Sequence, residues 1–332
     1  MDLVTLWFIV IAVLWTGFFV LEGFDFGVGI LSRLLTKDDA ERRQILSTIA
    51  PVWDANEVWL VTGGIAIFAA FPGWYAAAFP AAYLPLLLVI AAIIVRGVAI
   101  EYRSKQPSTR WRGTWDNAMF ASSLALPLLF GVFWAGMVHG IPIDATGAFT
   151  GESLLSFINP YSILGGVTLL SFCIMHGATF IALKTSGPVQ VSAARLAPRM
   201  SLVTAVLMAG FGVWTWASYS RSDSVALVVG LAGAVALLIA MGAHAKNKQL
   251  LAFWLNAFAA LSYVAAIFIA LYPNALPSTI NDGYTLTLEA ASASSTSLTI
   301  ITIVALIGLP LVIAYQAWSF WVFRKRIAPI AD

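Results

Sequence analysis

Residues 4–32 read VTLWFIVIAVLWTGFFVLEGFDFGVGILS and end against Arg33. An α-helix rises about 1.5 Å per residue, so about 20 apolar residues cross the ~30 Å hydrocarbon core of a bilayer. This run is longer than that, shows no period-two alternation, and carries Glu22 and Asp25 as its only ionisable side chains. It lacks a basic n-region and a small-residue cleavage site, so it reads as a membrane helix and not as a cleavable signal. In hydrocarbon the backbone must satisfy its hydrogen bonds within the segment, which makes such a run a helix and excludes a β-barrel.

Further runs of the same kind follow at about 51–71, 75–100, 115–138, 161–184, 200–219, 224–243, 250–272 and 297–323. The 332-residue chain is 60% hydrophobic and only 10% charged, against roughly 25% charged in soluble domains. A soluble globular enzyme, a disordered chain and a nucleic-acid binder are excluded. The single Cys173 permits no intrachain disulfide and reads as a small core residue.

The sparse basic residues orient the segments. Arg33, Lys37, Arg42, Arg43, Arg103, Lys105, Arg110, Arg112, Lys184, Arg195, Arg199, Lys246, Lys248, Arg324, Lys325 and Arg326 fall in alternate connections and the C-terminal tail. The other connections hold one basic residue, Arg221. The positive-inside rule places the basic side in the cytoplasm. The expectation is an all-α integral membrane protein with nine transmembrane helices, N-terminus outside and C-terminus cytoplasmic. The outer loops 139–160 and 273–296 are rich in Gly, Ser, Thr and Ala, and are expected to pack over the outer face.

A faint repeat relates Leu21-Glu22-Gly23-Phe24-Asp25-Phe26 to Met175-His176-Gly177-Ala178-Thr179-Phe180. It suggests two related four-helix units, residues 1–138 with the acids and 139–272 without them. Residues 273–332 would then hold the outer loop, a peripheral ninth helix and the basic tail.

Charges inside a membrane are expensive and mark function by default. The first unit holds Glu22, Asp25, Asp54, Glu57, Arg96, Glu101 and Asp116. Glu22 and Asp25 are spaced i, i+3 and share a helix face, as do Asp54 and Glu57. All lie toward the cytoplasmic half. Exchangeable carboxyls in series suit a proton-uptake path. Plainer roles compete: a capping box for Asp54 and Glu57, an interfacial ion pair for Glu101 and Lys105, and favourable charge at a helix N-terminus for Asp116. Gly23 and Gly27 flank Asp25 and allow close helix approach. His139, His176 and His244 have no ligand-like spacing and read as hydrogen-bonded structural residues. A chain this poor in axial ligands depends on a partner for redox chemistry. Trp53, Trp59, Trp74, Trp111, Trp115, Trp318 and Trp321 read as an interfacial aromatic belt.

The stretch Leu21-Glu22-Gly23-Phe24-Asp25-Phe26-Gly27-Val28-Gly29 resembles a signature of subunit II of cytochrome bd-type quinol oxidases. Ala50-Pro51-Val52-Trp53-Asp54-Ala55-Asn56-Glu57-Val58-Trp59-Leu60 is similar to a second, and Arg96 through Lys105 to a third. Arg110-Trp111-Arg112 and Trp115-Asp116 continue the likeness. The resemblance implies a bacterial cytoplasmic-membrane subunit of a terminal oxidase that oxidises quinol and reduces dioxygen to water. It implies a haem-bearing subunit I with haems b558, b595 and d, no haem ligated by this chain, and a cytoplasmic proton path. In that picture Asp54 is the central relay. Asp25, Glu22, Glu57, Arg96, Glu101, Lys105 and Asp116 line or position the path, and Trp59 lies near an oxygen route from the lipid. The resemblance also admits a bound structural quinone and small single-helix accessory subunits. Where some relatives have Asp this chain has Glu22 and Glu101, and Glu57 stands where some have an amide. The alternatives from the residues alone are a proton-coupled secondary transporter and a structural membrane scaffold.

Overall fold

The computed structural model describes residues 2–220 and 224–330. Arg221, counted above on the outer side, lies outside the described residues. The described helices are α1 (Leu3–Leu34), α2 (Asp39–Leu46), α3 (Trp53–Ala70), α4 (Pro72–Ala81), α5 (Tyr83–Tyr102), α6 (Thr109–His139), α7 (Pro160–Lys184), α8 (Pro188–Tyr219), α9 (Ser224–Ala245), α10 (Gln249–Leu271), α11 (Leu288–Ala291) and α12 (Ser295–Val322). Eight of them, α1, α5 to α10 and α12, are long and apolar enough to cross a membrane. The expected second crossing, α3, is not among these eight: it is 18 residues long and opens with Asp54, Asn56 and Glu57.

Three expected boundaries change. The segment at 75–100 is two helices, α4 and α5, broken at Ala82. Pro85 has no N–H to give the Ala81 carbonyl. Ser153 fills the gap, donating to the Ala81 carbonyl at 2.6 Å and accepting from the Leu84 N–H at 3.1 Å. The segment at 200–219 belongs to α8, which starts at Pro188 after Gly187, whose φ is +82°. Arg195 and Arg199 are therefore helical and not loop residues. The first basic loop contains the amphipathic helix α2, capped by the Asp38 side chain.

Helix α1 is the hub. It packs against α3, α6, α7 and α10 and is buried over most of its length, as a helix apolar on every side must be. Its approach to α7 depends on glycine. A Cβ on Gly27 would strike the Cys173 carbonyl and the Gly177 Cα; one on Gly177 would strike the Gly27 backbone. Cys173 is a buried core residue, as expected. Trp74 and Trp134 are also core residues, 1% exposed and packed around Phe268. Trp74 therefore leaves the proposed interfacial belt, while Trp318 and Trp321 are exposed.

At one end the two polar loops interlock. The Ile141 N–H donates to the Pro277 carbonyl, and the Thr279 N–H to the Ile141 carbonyl, both at 3.1 Å. Strands β1 (Asn274–Leu276) and β2 (Leu286–Thr287) form an antiparallel pair in the same loop. On one flank of the bundle an apolar cleft of about 910 Å³ opens, lined by Leu60, Ile67, Phe79, Val89, Ile93 and Phe133 among others.

Candidate functional site

The two acids of α1 lie one turn apart, and both are fully buried. Arg96 comes from α5 and is also fully buried. Its Nη1 stands 2.6 Å from Glu22 Oε1 and donates to Glu57 Oε1 of α3 at 3.0 Å. The Phe26 ring lies 5.1 Å from the guanidinium carbon, a cation–π contact. Asp25 Oδ2 accepts from Asn56 Nδ2 at 2.7 Å, and Asn56 Oδ1 accepts from Gln316 Nε2 of α12 at 2.7 Å. Two carboxyls, Glu22 and Glu57, therefore contact one cation, and Asp25 lies within its electrostatic reach. The whole group is assembled by α1, α3, α5 and α12. Among the described residues, Glu22 Oε2 and Asp25 Oδ1 accept no hydrogen bond, and Arg96 Nε and Nη2 donate none.

A second charged group lies at the basic end. Asp116 Oδ1 accepts from Arg103 Nε at 2.6 Å, and Oδ2 from Arg42 Nη1 at 2.8 Å. Asp39 of α2 accepts from Arg103 Nη2 at 2.6 Å and Arg112 Nη1 at 3.0 Å, with Arg43 at 3.3 Å. This network ties α2 to α6 and to the turn after α5. Burial opposes charge on Asp39, but the hydrogen bond from Arg103 and the charges of Arg103, Arg112 and Arg43 outweigh it and hold the carboxyl below its usual range.

The acids read as one series are thus divided. Glu22, Asp25, Glu57 and Arg96 meet in the interior. Asp116 belongs to the ionic network at the basic end, beyond the first turn of α6. Asp54 is exposed on the first turn of α3, next to Glu57 in sequence position on that face. Val52 occupies the N-cap of α3 and no side chain caps it, so Asp54 and Glu57 form no capping box. Glu101 and Lys105 are exposed, and no ion pair joins them among the described residues. The Trp59 ring rests on Gly17, and it borders an apolar groove of about 320 Å³ shared with α1 and α12.

Two members of the interior group, Asn56 and Gln316, were not singled out from the sequence. Gln316 had a signal: it is an amide within the apolar run 297–323. Asn56 stood inside a quoted motif, between two acids that drew attention first. Arg42 and Arg103 read in the sequence only as loop charges, and Asp39 carries no motif that singles it out.

The histidines are hydrogen-bonded. His176 Nε2 donates to the Val20 carbonyl at 3.0 Å, and its ring stacks on Phe172 and Phe253. His244 Nδ1 pairs with Gln249 Oε1 at 2.7 Å, and its Nε2 lies 3.3 Å from Thr179 Oγ1. His139 Nδ1 lies 3.0 Å from the Tyr219 hydroxyl. Among the described residues no three His, Cys, Asp or Glu side chains converge as metal ligands would.

The profile of the family described as cytochrome bd terminal oxidase subunit II matches residues 3–323. The chain is 40% identical over 326 residues to the cytochrome bd ubiquinol oxidase subunit 2 of Bacillus subtilis (strain 168), covering 97% of this chain and 96% of that one. It is 35% identical over 358 aligned positions to the cytochrome bd-I ubiquinol oxidase subunit 2 of Escherichia coli (strain K12), covering 97% and 94%. A chain of the bd oxidase structure from Geobacillus thermodenitrificans superposes with a TM-score of 0.77 at 19% identity, over 98% of this chain and 100% of that one, which shows a shared fold. With the family profile matched over residues 3–323 and relatives 35–40% identical over nearly the whole chain, this chain belongs to the subunit II family of cytochrome bd terminal oxidases.

Proposed function

We propose that this multi-pass membrane protein, as subunit II of a bd-type ubiquinol oxidase, carries protons from the basic side of the membrane toward a redox centre held by subunit I. The observation that supports this reading is the interior group of Glu22, Asp25 and Glu57 around Arg96. Three ionised carboxyls beside one guanidinium would leave net negative charge in a medium that penalises it heavily. Such a group relieves the excess by holding protons and passing them on. Its unpartnered oxygen and nitrogen atoms are positions where buried water would complete a chain.

In this reading Asp54 stands at the mouth, Glu57 follows at 19% side-chain exposure, and the path continues to Glu22 and Asp25. Arg96 keeps the group hydrated and oriented. The network around Asp39 and Asp116 fixes the helix ends that frame the mouth, with Glu101 and Lys105 on the surface beside it. Nine crossings, counting α3, keep the basic connections on one side. The haems b558, b595 and d then sit in subunit I. Subunit I covers the flank formed by α3, α5 and α12, where Val61, Ile65, Ile94, Leu306 and Leu311 stand exposed. Trp59 lies on that flank, where oxygen can reach the partner from the lipid. The family match removes the reason for the transporter reading, and that reading would also want acids in both halves.

The test is made on the two-subunit complex. Asp25→Asn and Glu57→Gln are expected to lower quinol-driven oxygen consumption by about 10²-fold, the low end for a lost proton-transfer group. The haem spectrum should stay unchanged. Full turnover and full proton uptake in both variants would end the proposal.

A further inference from the structure

We propose that Gln316 and Asn56 are positioning residues that set which atom faces Asp25, and this rests on the proton-path reading above. Helix α12 lies at the periphery: only 6% of its most apolar stretch is buried. Its buried residues are Leu298, Gln316 and Ser319. An amide in a membrane helix is unfavourable without a partner. Gln316 has one, and that partner touches the acid.

The geometry gives the pair a direction. Asn56 is fully buried. Its amide can turn its NH2 or its carbonyl oxygen toward Asp25, and the two arrangements are nearly the same shape. They differ chemically. An NH2 is a donor and an oxygen an acceptor, so the first matches a carboxylate and the second matches a protonated carboxyl. Gln316 Nε2 donates to Asn56 Oδ1 at 2.7 Å, which directs Asn56 Nδ2 to Asp25 Oδ2 at 2.7 Å. Asn56 Nδ2 also lies 3.5 Å from the Leu21 carbonyl, which favours the same orientation. Turning Asn56 over would place its oxygen against both the Leu21 carbonyl and the Asp25 carboxyl. The donor on Gln316 therefore makes Asp25 an acceptor at rest, ready for a proton. The charged groups acting on Asp25 are Glu22 on its own helix, Glu57 on α3 and Arg96 on α5. From α7, His176 gives its Nε2 hydrogen to the Val20 carbonyl, and its Nδ1 has no hydrogen-bond partner among the described residues. Gln316 adds no charge, so its influence is orientational.

The experiment compares Gln316→Met, Gln316→Glu and Asp25→Asn in the intact complex. Methionine keeps the length and removes the donor. Glutamate is nearly isosteric and, ionised, accepts where Gln316 donates; it also keeps the test open if the methionine variant assembles poorly. Both Gln316 variants should retain the haem spectrum. Turnover should fall about fivefold, the rate equivalent of one net hydrogen bond. The pH profile should move and the solvent deuterium isotope effect should change, with Gln316→Glu affected more. A slower enzyme with an unmoved pH profile and isotope effect would make Gln316 a packing residue and overturn the proposal, as would unchanged kinetics. Full turnover in Asp25→Asn would overturn the positioning role by taking Asp25 off the path, and full turnover in Glu57→Gln as well would sink the proton path itself. A slow Asp25→Asn beside an unaffected Gln316 pair would sink only the positioning role.

Discussion

The two halves of the bundle handle buried polarity in opposite ways. Around α1, α3 and α5 the interior holds Glu22, Asp25, Glu57 and Arg96, with several atoms unpartnered. Around α7, α9 and α10 it holds Thr179, His244, Gln249 and Asn256, and among the described residues no carboxylate, Lys or Arg is hydrogen-bonded to them. There Asn256 Nδ2 donates to Thr179 Oγ1 at 3.0 Å, and Asn256 Oδ1 is the one buried unpartnered atom of these four side chains among the described residues. Packing follows the same division. In α7, 78% of the most apolar stretch is buried, against 22% in α5. The apolar cleft opens beside α3 and α5, while α7 is closed in by its neighbours. A neutral hydrogen-bonded core can be sealed by its own helices. An ionic group with spare valences sits in the half that leaves an apolar flank open.

The largest blow to this contrast is expected from Arg96→Met. Glu22 and Glu57 would lose the cation they contact, and breaking a buried pair costs about 3–5 kcal/mol. Yield of the haem-bearing complex and its thermal unfolding in detergent should both fall. Near-normal assembly would mean that the charged half is as tolerant as the neutral one.

Thr179→Val tests the other side. It removes a hydroxyl that donates to the Met175 carbonyl and accepts from Asn256, at a stability loss of about 1–2 kcal/mol. Turnover of the assembled complex should stay at the wild-type level. If it drops as far as in Asp25→Asn, both halves conduct and the contrast fails.

The smallest effect is a pH dependence at the basic end. Asp39 is held below the usual carboxylate range in the folded state, so it binds a proton more weakly there than in the unfolded chain. Its contribution is present above the ordinary carboxylate range and is lost as pH falls through the folded value. Asp39→Asn should therefore flatten the acid side of the melting-temperature profile and leave neutral-pH turnover unchanged. An identical acid profile would remove Asp39 from the account.

Much of this was legible in the sequence. Spacing put Glu22 and Asp25 on one helix face, and both are buried together. The apolar run around Cys173 made it a core residue. The bland reading of the histidines agrees with their hydrogen bonds. Other features depended on partners distant in the chain. Asp54 and Glu57 share a face, yet one is exposed and the other meets Arg96. Asp116 looked like a helix-terminal charge and instead joins Arg42 and Arg103. The break at Ala82 was signalled by Pro80 and Pro85, but what makes it tolerable is Ser153, from a loop across the bundle.

The amino-acid sequence by itself determined the solvent, the helical class and the family. Those follow from apolar length, from backbone hydrogen bonding in hydrocarbon, and from dense local motifs. It also determined which acids were too costly to leave unexplained. Only the tertiary structure decided which of them share a cation, that Asn56 and Gln316 complete the group, and that the flank beside α3 and α5 stays open. Periodicity specifies a face of a helix. Which other face lies a hydrogen bond away is set by how the helices pack, as at Gly27 and Gly177, and no local spacing contains that.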